Sequence, residues 1–194
     1  MHTLTVDARR YGLHATLKAP FFLKPGMTER ELLRAAVHFT EGRQAIILPR
    51  LKLMHLDSFF ALVPFDESPE GRQAVQDINT LSADAVSFFD PFRAVPSEQE
   101  IARRHQHNLS ARQRALLDEW GYPYVFDEYR FHITLTDRLR FSVEAHAMEE
   151  NLRMYLEEVG NENMAVTNIC LCKQIRHDSD CEFILLKRLY FQKH

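Results

Sequence analysis

Two short motifs of the same kind could do chemistry together, His14-Ala15-Thr16-Leu17 and His132-Ile133-Thr134-Leu135. Two imidazoles that face one cleft suit the cleavage of a phosphodiester. The neutral ring accepts a proton from the attacking water or hydroxyl, and the protonated ring donates one to the leaving oxygen. The threonine hydroxyls can donate hydrogen bonds to non-bridging phosphate oxygens. The sequence therefore predicts the two histidines as a catalytic pair, about 5 to 8 Å apart, and the two threonines as phosphate ligands.

Cations accompany both motifs. In a strand, alternate side chains share a face, so Lys18 lies on the face of His14 and Arg130 on the face of His132. Both cations are predicted to bind the substrate phosphate and to offset the charge of the transition state. Tyr11 has the opposite parity and is a candidate for the rim of the cleft. This scheme needs no metal ion, and no cofactor is predicted.

The elements that must position these motifs recur in the same order along the chain. The first half predicts a strand over residues 10–18, a helix between Thr28 and Gly42, and a hairpin of strands over 45–55 and 58–65. The second half predicts a strand over 129–139, a helix over 143–159, and a hairpin of strands over 165–175 and 182–191. The intervening stretch from Pro69 to Trp120 has a helical pattern interrupted by prolines.

This order predicts an α+β fold with two similar βαββ lobes around a central cleft. The first lobe comprises residues 1–68, a helical insertion 69–122, and the second lobe 123–194, all within one bilobal domain. A cleft between two similar lobes is a common place for a ligand site, because side chains from both lobes can converge there.

The paired H-x-T-Φ tetrads resemble the signature of the 2H phosphoesterase superfamily. The flanking sequences, Arg9-Arg10-Tyr11-Gly12-Leu13-His14 with Lys18-Ala19-Pro20-Phe21, and Arg130-Phe131-His132, are similar to those of its DUF1045 branch. The resemblance covers nearly the whole chain. It implies a cyclic phosphodiesterase of bacterial phosphonate metabolism, and makes a ribose cyclic phosphate an attractive substrate. Members of this branch begin with a further strand, so we expect the first sheet to be incomplete, completed by a neighbouring chain, or preceded by more sequence.

The composition indicates where in the cell the protein acts and which partners it binds. The 194 residues carry a formal net charge of −3, so no global positive field would draw the chain onto a long nucleic acid. No apolar run is long enough to cross a bilayer and no secretion signal is evident, which predicts a cytoplasmic protein without membrane contact. The three cysteines include no C-x-x-C pair, which fits a reducing compartment. Cys170 and Cys172 are expected to pack in the core. The predicted partner is a small phosphorylated substrate, and the oligomeric state is open.

Three alternatives to the hydrolase remain. A binding module would hold a phosphorylated metabolite or an RNA end in the same cleft without turning it over. A ligase-like or transesterifying enzyme would act on RNA termini. A zinc hydrolase is the weakest alternative, because the histidines lack a nearby carboxylate at a usual ligand spacing. The residues do not decide the substrate, or which histidine is the base and which the acid.

Overall fold

The computed structural model of this chain is a mixed α+β structure, as the sequence predicts. The structure describes residues 4–6, 8, 12–56, 58–65, 67–105, 108–139, 143–159, 163–177 and 180–192. Its helices are α1 (Glu29–Thr40), α2 (Pro69–Phe89), α3 (Glu98–His105), α4 (Ala111–Trp120) and α5 (Val143–Val159). Its strands are β1 (Ile46–Leu48), β2 (Leu51–Leu56), β3 (Phe59–Pro64), β4 (Ile133–Thr134), β5 (Met164–Val166), β6 (Asn168–His177) and β7 (Asp180–Tyr190). Short 3₁₀ turns cover Asp90–Phe92 and Phe126–Glu128.

A capping box sets the start of helix α1. Thr28 and Glu31 form a reciprocal capping box, in which each side chain accepts a hydrogen bond from the other's backbone N–H. Leu32, Ala36 and Phe39 recur at helical spacing and are buried, so α1 packs this face on the core. The predicted helix is confirmed.

Helix α2 is the element on which the first motif rests. The Ser68 side chain accepts a hydrogen bond from the Gly71 N–H at 3.0 Å and Pro69 occupies the first turn, both typical of a helix start. One face of its C-terminal half is buried and carries Ile78, Leu81, Ser82, Ala85, Val86 and Phe89. This spacing of three and four residues gives a single inward stripe, with Ser82 as its polar member.

Among the described residues, the strands pair antiparallel and form three sheets. β1 pairs with β5, β2 and β3 form a hairpin that β4 extends, and β6 pairs with β7 in a long hairpin. The two predicted hairpins are present, but the first strand of each is divided in two: β1 and β2 replace the strand predicted over 45–55, and β5 and β6 replace that over 165–175. Two of the sheets join strands from the two predicted lobes, because β3 pairs with β4 and β1 with β5.

The two motif segments differ from the strands that we predicted. The described part of the first, residues 12–18, contains neither strand nor helix. Gly12 has a φ of 68°, which lies outside the extended region and interrupts a strand at its start. The second predicted strand, over 129–139, is reduced to the two residues of β4, after a 3₁₀ turn in which Phe126 has a φ of 52°.

The main hydrophobic core draws on all three predicted segments of the chain. It contains Phe39 from α1, Ile78 from α2, Ile133 from β4 and Leu189 from β7, all buried. The domain boundaries themselves stay a prediction. Cys170 and Cys172 are exposed rather than in the core, because their strand neighbours Ile169 and Leu171 are the ones that pack against it. Within the described part of the chain, no helix combines the length and apolarity needed to cross a membrane.

Candidate functional site

The first motif is fastened to α2 by side-chain hydrogen bonds. The buried Ser82 hydroxyl donates to the backbone carbonyl of Leu17 at 2.8 Å. The Lys18 ammonium donates to the backbone carbonyl of Val86 at 3.0 Å. Ser82 and Val86 are four residues apart and so lie on the same face of the helix. Two consecutive residues of the irregular segment are therefore held against one face of α2.

A third contact joins the first motif to the second. The Tyr129 hydroxyl donates to the backbone carbonyl of Thr16 at 3.2 Å. The contact spans 113 positions of the sequence. Because Tyr129 precedes His132 by three residues, it links the first motif to the segment just before the second. Burial raises the pKa of the Tyr129 phenol to about 12, and the nearby Ser82 side chain opposes this shift. The phenol therefore stays neutral and able to donate at physiological pH.

Lys18, a predicted phosphate ligand, is engaged inside the protein. Its Nζ lies 3.5 Å from the Asp90 carboxylate and 5.3 Å from the centre of the Phe21 ring. Asp90 also accepts hydrogen bonds from Arg93 at 2.7 and 3.2 Å. Only 11% of the Lys18 side chain is exposed, and this burial lowers the pKa of its ammonium. The side chain thus serves as an anchor between the first motif and the C-terminal end of α2.

His14 is exposed and has a defined ring orientation. Its Nδ1 lies 2.9 Å from the backbone carbonyl oxygen of Gly12. Since a carbonyl can only accept, Nδ1 is the donor. The φ of 68° at Gly12 turns the chain at this point. The turn at Gly12 and the hydrogen bond to its carbonyl therefore together orient the His14 ring.

His132 makes the corresponding contact in the second motif. Its Nδ1 lies 2.8 Å from the backbone carbonyl oxygen of Arg130, again two residues earlier. The ring also lies beside Phe59 of β3, with 6.0 Å between ring centres and a tilt of 45°. The strand that follows is fixed to β3, since Leu62 is opposite Ile133 in the register. His132 therefore lies just before β4, with one ring nitrogen bonded and the ring beside an aromatic neighbour.

The remaining predicted site residues occupy different environments. Thr16 and Arg130 are exposed, while Thr134 is partly buried opposite Ala61 in the β3–β4 pair. Tyr11 lies outside the described residues.

Sequence reasoning missed Tyr129, Ser82 and Phe59. Their roles depend on contacts across the fold, and strand parity within one motif gives no information about them. A tyrosine three residues before a histidine motif was a visible feature, but its partner, the Thr16 carbonyl, carries no side-chain signal. Phe59 could have been found from the predicted hairpin had the partner of the second motif's strand been known.

Two open cavities, of about 470 and 370 Å³, lie between β1 and α2 rather than at the motifs. They share Ile46 and Asp77 as lining residues. Neither histidine is among the described residues that line them. Among the residues that the structure describes, no three histidine, cysteine, aspartate or glutamate side chains cluster so as to hold a metal ion.

Comparison with known proteins identifies similar sequences. The sequence model of the family described as "Protein of unknown function (DUF1045)" matches residues 16–182. The match begins two residues after His14 and includes the whole second motif. No solved structure matches the chain.

Two curated relatives are similar over most of the chain, and both are named ribose 1,5-bisphosphate phosphokinase PhnN. The protein from Janthinobacterium sp. (strain Marseille) is 46% identical over 142 residues, which is 72% of this chain and 29% of the relative. The protein from Laribacter hongkongensis (strain HLHK9) is 39% identical over 139 residues, 68% of this chain and 28% of the relative. The chain thus spans less than a third of the length of these relatives.

Proposed function

This chain belongs to the DUF1045 family, and we propose that it is a metal-independent phosphodiesterase that hydrolyses a small cyclic phosphodiester by two-histidine acid–base catalysis. The observation that carries the proposal is the matched geometry of the two motifs. In each, the histidine Nδ1 donates to the carbonyl two residues earlier, at 2.9 Å in the first and 2.8 Å in the second. Two histidines held in the same way, each followed by a threonine two residues on, suit one shared reaction centre.

The hydrogen bond at Nδ1 gives each histidine a definite role. In the neutral ring it keeps the proton on Nδ1, so that Nε2 carries the lone pair that can accept a proton. In the protonated ring, Nε2 carries the proton that can be donated. One ring would take a proton from the attacking water, which forms the new phosphorus–oxygen bond. The other would protonate the ester oxygen as its bond to phosphorus breaks.

The other polar groups would bind the phosphate. Thr16 and Thr134 would donate to its non-bridging oxygens, and the exposed Arg130 would offset the charge that develops on them. The phosphate-binding role predicted for Lys18 stays a prediction, and the contacts of its ammonium favour anchoring of the first motif. The proposal includes a 2H-like arrangement of two lobes. Because β1 pairs with β5 and β3 with β4, each of these two sheets contains strands from both halves of the chain. Such pairing is compatible with two lobes that each contribute a strand to the other.

The names of the relatives bear on the substrate. Both names specify a phosphorylated ribose, so a sugar phosphate of phosphonate metabolism is the substrate class that we propose, with a ribose cyclic phosphate as its first candidate. Catalysis in a reducing cytoplasm without a bound cofactor is part of the same proposal.

A phosphokinase is the second candidate, because both relatives carry that name. It would transfer a phosphoryl group to a ribose phosphate. The chain, however, spans less than a third of those proteins, and its 194 residues contain no G-x-x-x-x-G-K-S/T motif of the kind that cradles nucleotide phosphates. We therefore propose that the kinase activity of these relatives resides in the part that this chain does not match.

One screen separates these candidates. The purified protein is incubated with EDTA and 2′,3′-cyclic nucleotides or ribose cyclic phosphates, and in parallel with ribose 1,5-bisphosphate, ATP and Mg²⁺. The proposal expects hydrolysis in the EDTA arm that is lost on His132→Ala and kept on His146→Ala, an exposed histidine of α5. Hydrolysis that requires an added divalent metal would favour a metal hydrolase. Binding of the cyclic phosphates without turnover would favour a binding module, and phosphoryl transfer from ATP would favour a kinase.

A further inference from the structure

The first motif has backbone groups that regular structure does not satisfy. Residues 12–18 belong to neither helix nor strand, so the carbonyls of Thr16 and Leu17 have no ladder partners. A backbone carbonyl outside helices and strands takes its hydrogen bond from a side chain or from water. The donors are side chains, the Tyr129 hydroxyl for Thr16 and the Ser82 hydroxyl for Leu17. The position of the motif therefore depends on two hydroxyl groups that are remote in sequence.

Tyr129 follows a defined turn and lies shortly before the second motif. Its backbone N–H donates to the carbonyl of Phe126 at 3.1 Å, which closes the 3₁₀ turn. Phe126 has a φ of 52°, a conformation that a non-glycine residue adopts only when its surroundings hold it, and its ring packs on Trp120 at 4.8 Å. A fixed turn thus precedes Tyr129, and His132 follows it by three residues.

The two hydroxyls act on neighbouring carbonyls. Ser82 of α2 donates to the Leu17 carbonyl and Tyr129 donates to the Thr16 carbonyl. Helix α2, the first motif and the residues before the second motif therefore meet at one small polar cluster of Ser82, Tyr129 and the two carbonyls. Ser82 is fully buried there.

We propose that Tyr129, supported by Ser82, is a positioning residue that sets the location of the first histidine motif relative to the second. This inference rests on the proposed two-histidine function and deepens it. Tyr129 does not touch the reacting phosphate in this scheme. It acts through the Thr16 carbonyl, two residues after His14, so that the two imidazoles reach the same phosphate.

Removal of the hydroxyl alone separates positioning from packing. The Tyr129 ring packs against the main core, and Tyr129→Phe keeps this apolar contact while it removes the donor to Thr16. Ser82→Ala removes the donor to Leu17 with little change in volume. Tyr155→Phe, at an exposed tyrosine of α5, is the matched control.

The test combines kinetics with native-state amide exchange. With 2′,3′-cyclic AMP or a ribose cyclic phosphate as the probe, Tyr129→Phe should lower kcat by about 10- to 100-fold and leave KM within about threefold, because misplaced groups lose transition-state contacts first. Amide exchange at residues 14–18 should accelerate about fivefold from the loss of one hydrogen bond. Ser82→Ala should change both in the same direction, and Tyr155→Phe should change neither.

The outcomes distinguish this inference from the proposed function. A Tyr129→Phe protein with wild-type kcat and wild-type exchange at residues 14–18 overturns the positioning role even if the wild type is an active phosphodiesterase. A kcat that falls only in proportion to a loss of folded protein, with no local change in exchange, overturns it as well. If the wild type hydrolyses no cyclic phosphate, the proposed function fails, and local acceleration of exchange in Tyr129→Phe still supports the linkage between the motifs.

Discussion

His14 and His132 are held by the same local hydrogen bond, although 118 positions separate them in the sequence. Each Nδ1 contacts the carbonyl oxygen two residues earlier, Gly12 at 2.9 Å and Arg130 at 2.8 Å. Both rings lie outside regular secondary structure, His14 in the irregular segment over 12–18 and His132 one residue before β4. In each case the bond at Nδ1 directs Nε2 away from the motif's own backbone.

This geometry predicts the tautomer of both rings. At a pH at which the imidazoles are neutral, His14 and His132 should both carry the proton on Nδ1, because the carbonyl partner can only accept. Long-range proton–nitrogen NMR spectra of the labelled protein distinguish the two tautomers directly. Exposed His146 provides a comparison within the same spectrum. A predominant Nε2–H form at either motif would contradict the proposed role of that ring.

Alanine substitutions test whether the two histidines act in one step. His14→Ala and His132→Ala should each lower kcat on a cyclic phosphate by about 10²- to 10⁴-fold, the usual loss for one general acid or base. The double substitution should cost much less than the product of the single losses, because a reaction centre that has lost one ring gains little from the other. Strictly multiplicative losses would mean that the two rings act independently.

Lys18→Met tests the anchoring role of the lysine. The substitution removes the donor to the Val86 carbonyl and the partner of Asp90, which retains Arg93, so the free energy of unfolding should fall by about 1–2 kcal/mol. Urea titration measures this change. Lys24→Met is the matched control, an exposed lysine after the first motif, and should change stability by less than about 0.5 kcal/mol. A KM that rises more than about tenfold with unchanged stability would instead support the predicted phosphate contact.

Elements with local signals could be predicted from the sequence, and elements with distant partners could not. The helix at Thr28 is specified by its own capping box, and α5 covers the predicted residues Val143–Val159. The segment of the first motif has the alternation of a strand, yet the partners of its carbonyls are the side chains of Ser82 and Tyr129, 65 and 113 residues away. No local pattern encodes such contacts.

The same distinction applies to the candidate site. The histidines and threonines are recognisable because their types and spacing repeat. The alternation that suggested Lys18 as a phosphate ligand assumed a regular strand, and in an irregular segment the lysine turns towards the end of α2. The repeated spacing therefore identifies which side chains belong to a motif. The direction in which each side chain points is less reliable, because it depends on the segment being a regular strand.

The stability of the protein at alkaline pH should report the burial of Tyr129. Its pKa is raised by burial to about 12 in the folded state, against about 10 in an unfolded chain. Because the unfolded chain releases this proton first, the stabilising contribution is fully present below about pH 10 and is lost as the pH rises towards 12. Two pH units correspond to about 2 to 3 kcal/mol as an upper bound.

Urea unfolding of the wild type, Tyr129→Phe and Tyr155→Phe at pH 8 and pH 11 measures this contribution. The phenylalanine at position 129 has no proton to lose, so this variant should lose less stability than the wild type between the two pH values. The control at Tyr155, an exposed residue of α5, keeps the Tyr129 phenol and should therefore lose as much as the wild type. Equal losses in all three proteins would mean that the Tyr129 phenol is no harder to ionise in the folded state than in the unfolded chain. The phenol would then be open to solvent in the folded protein rather than buried against the core.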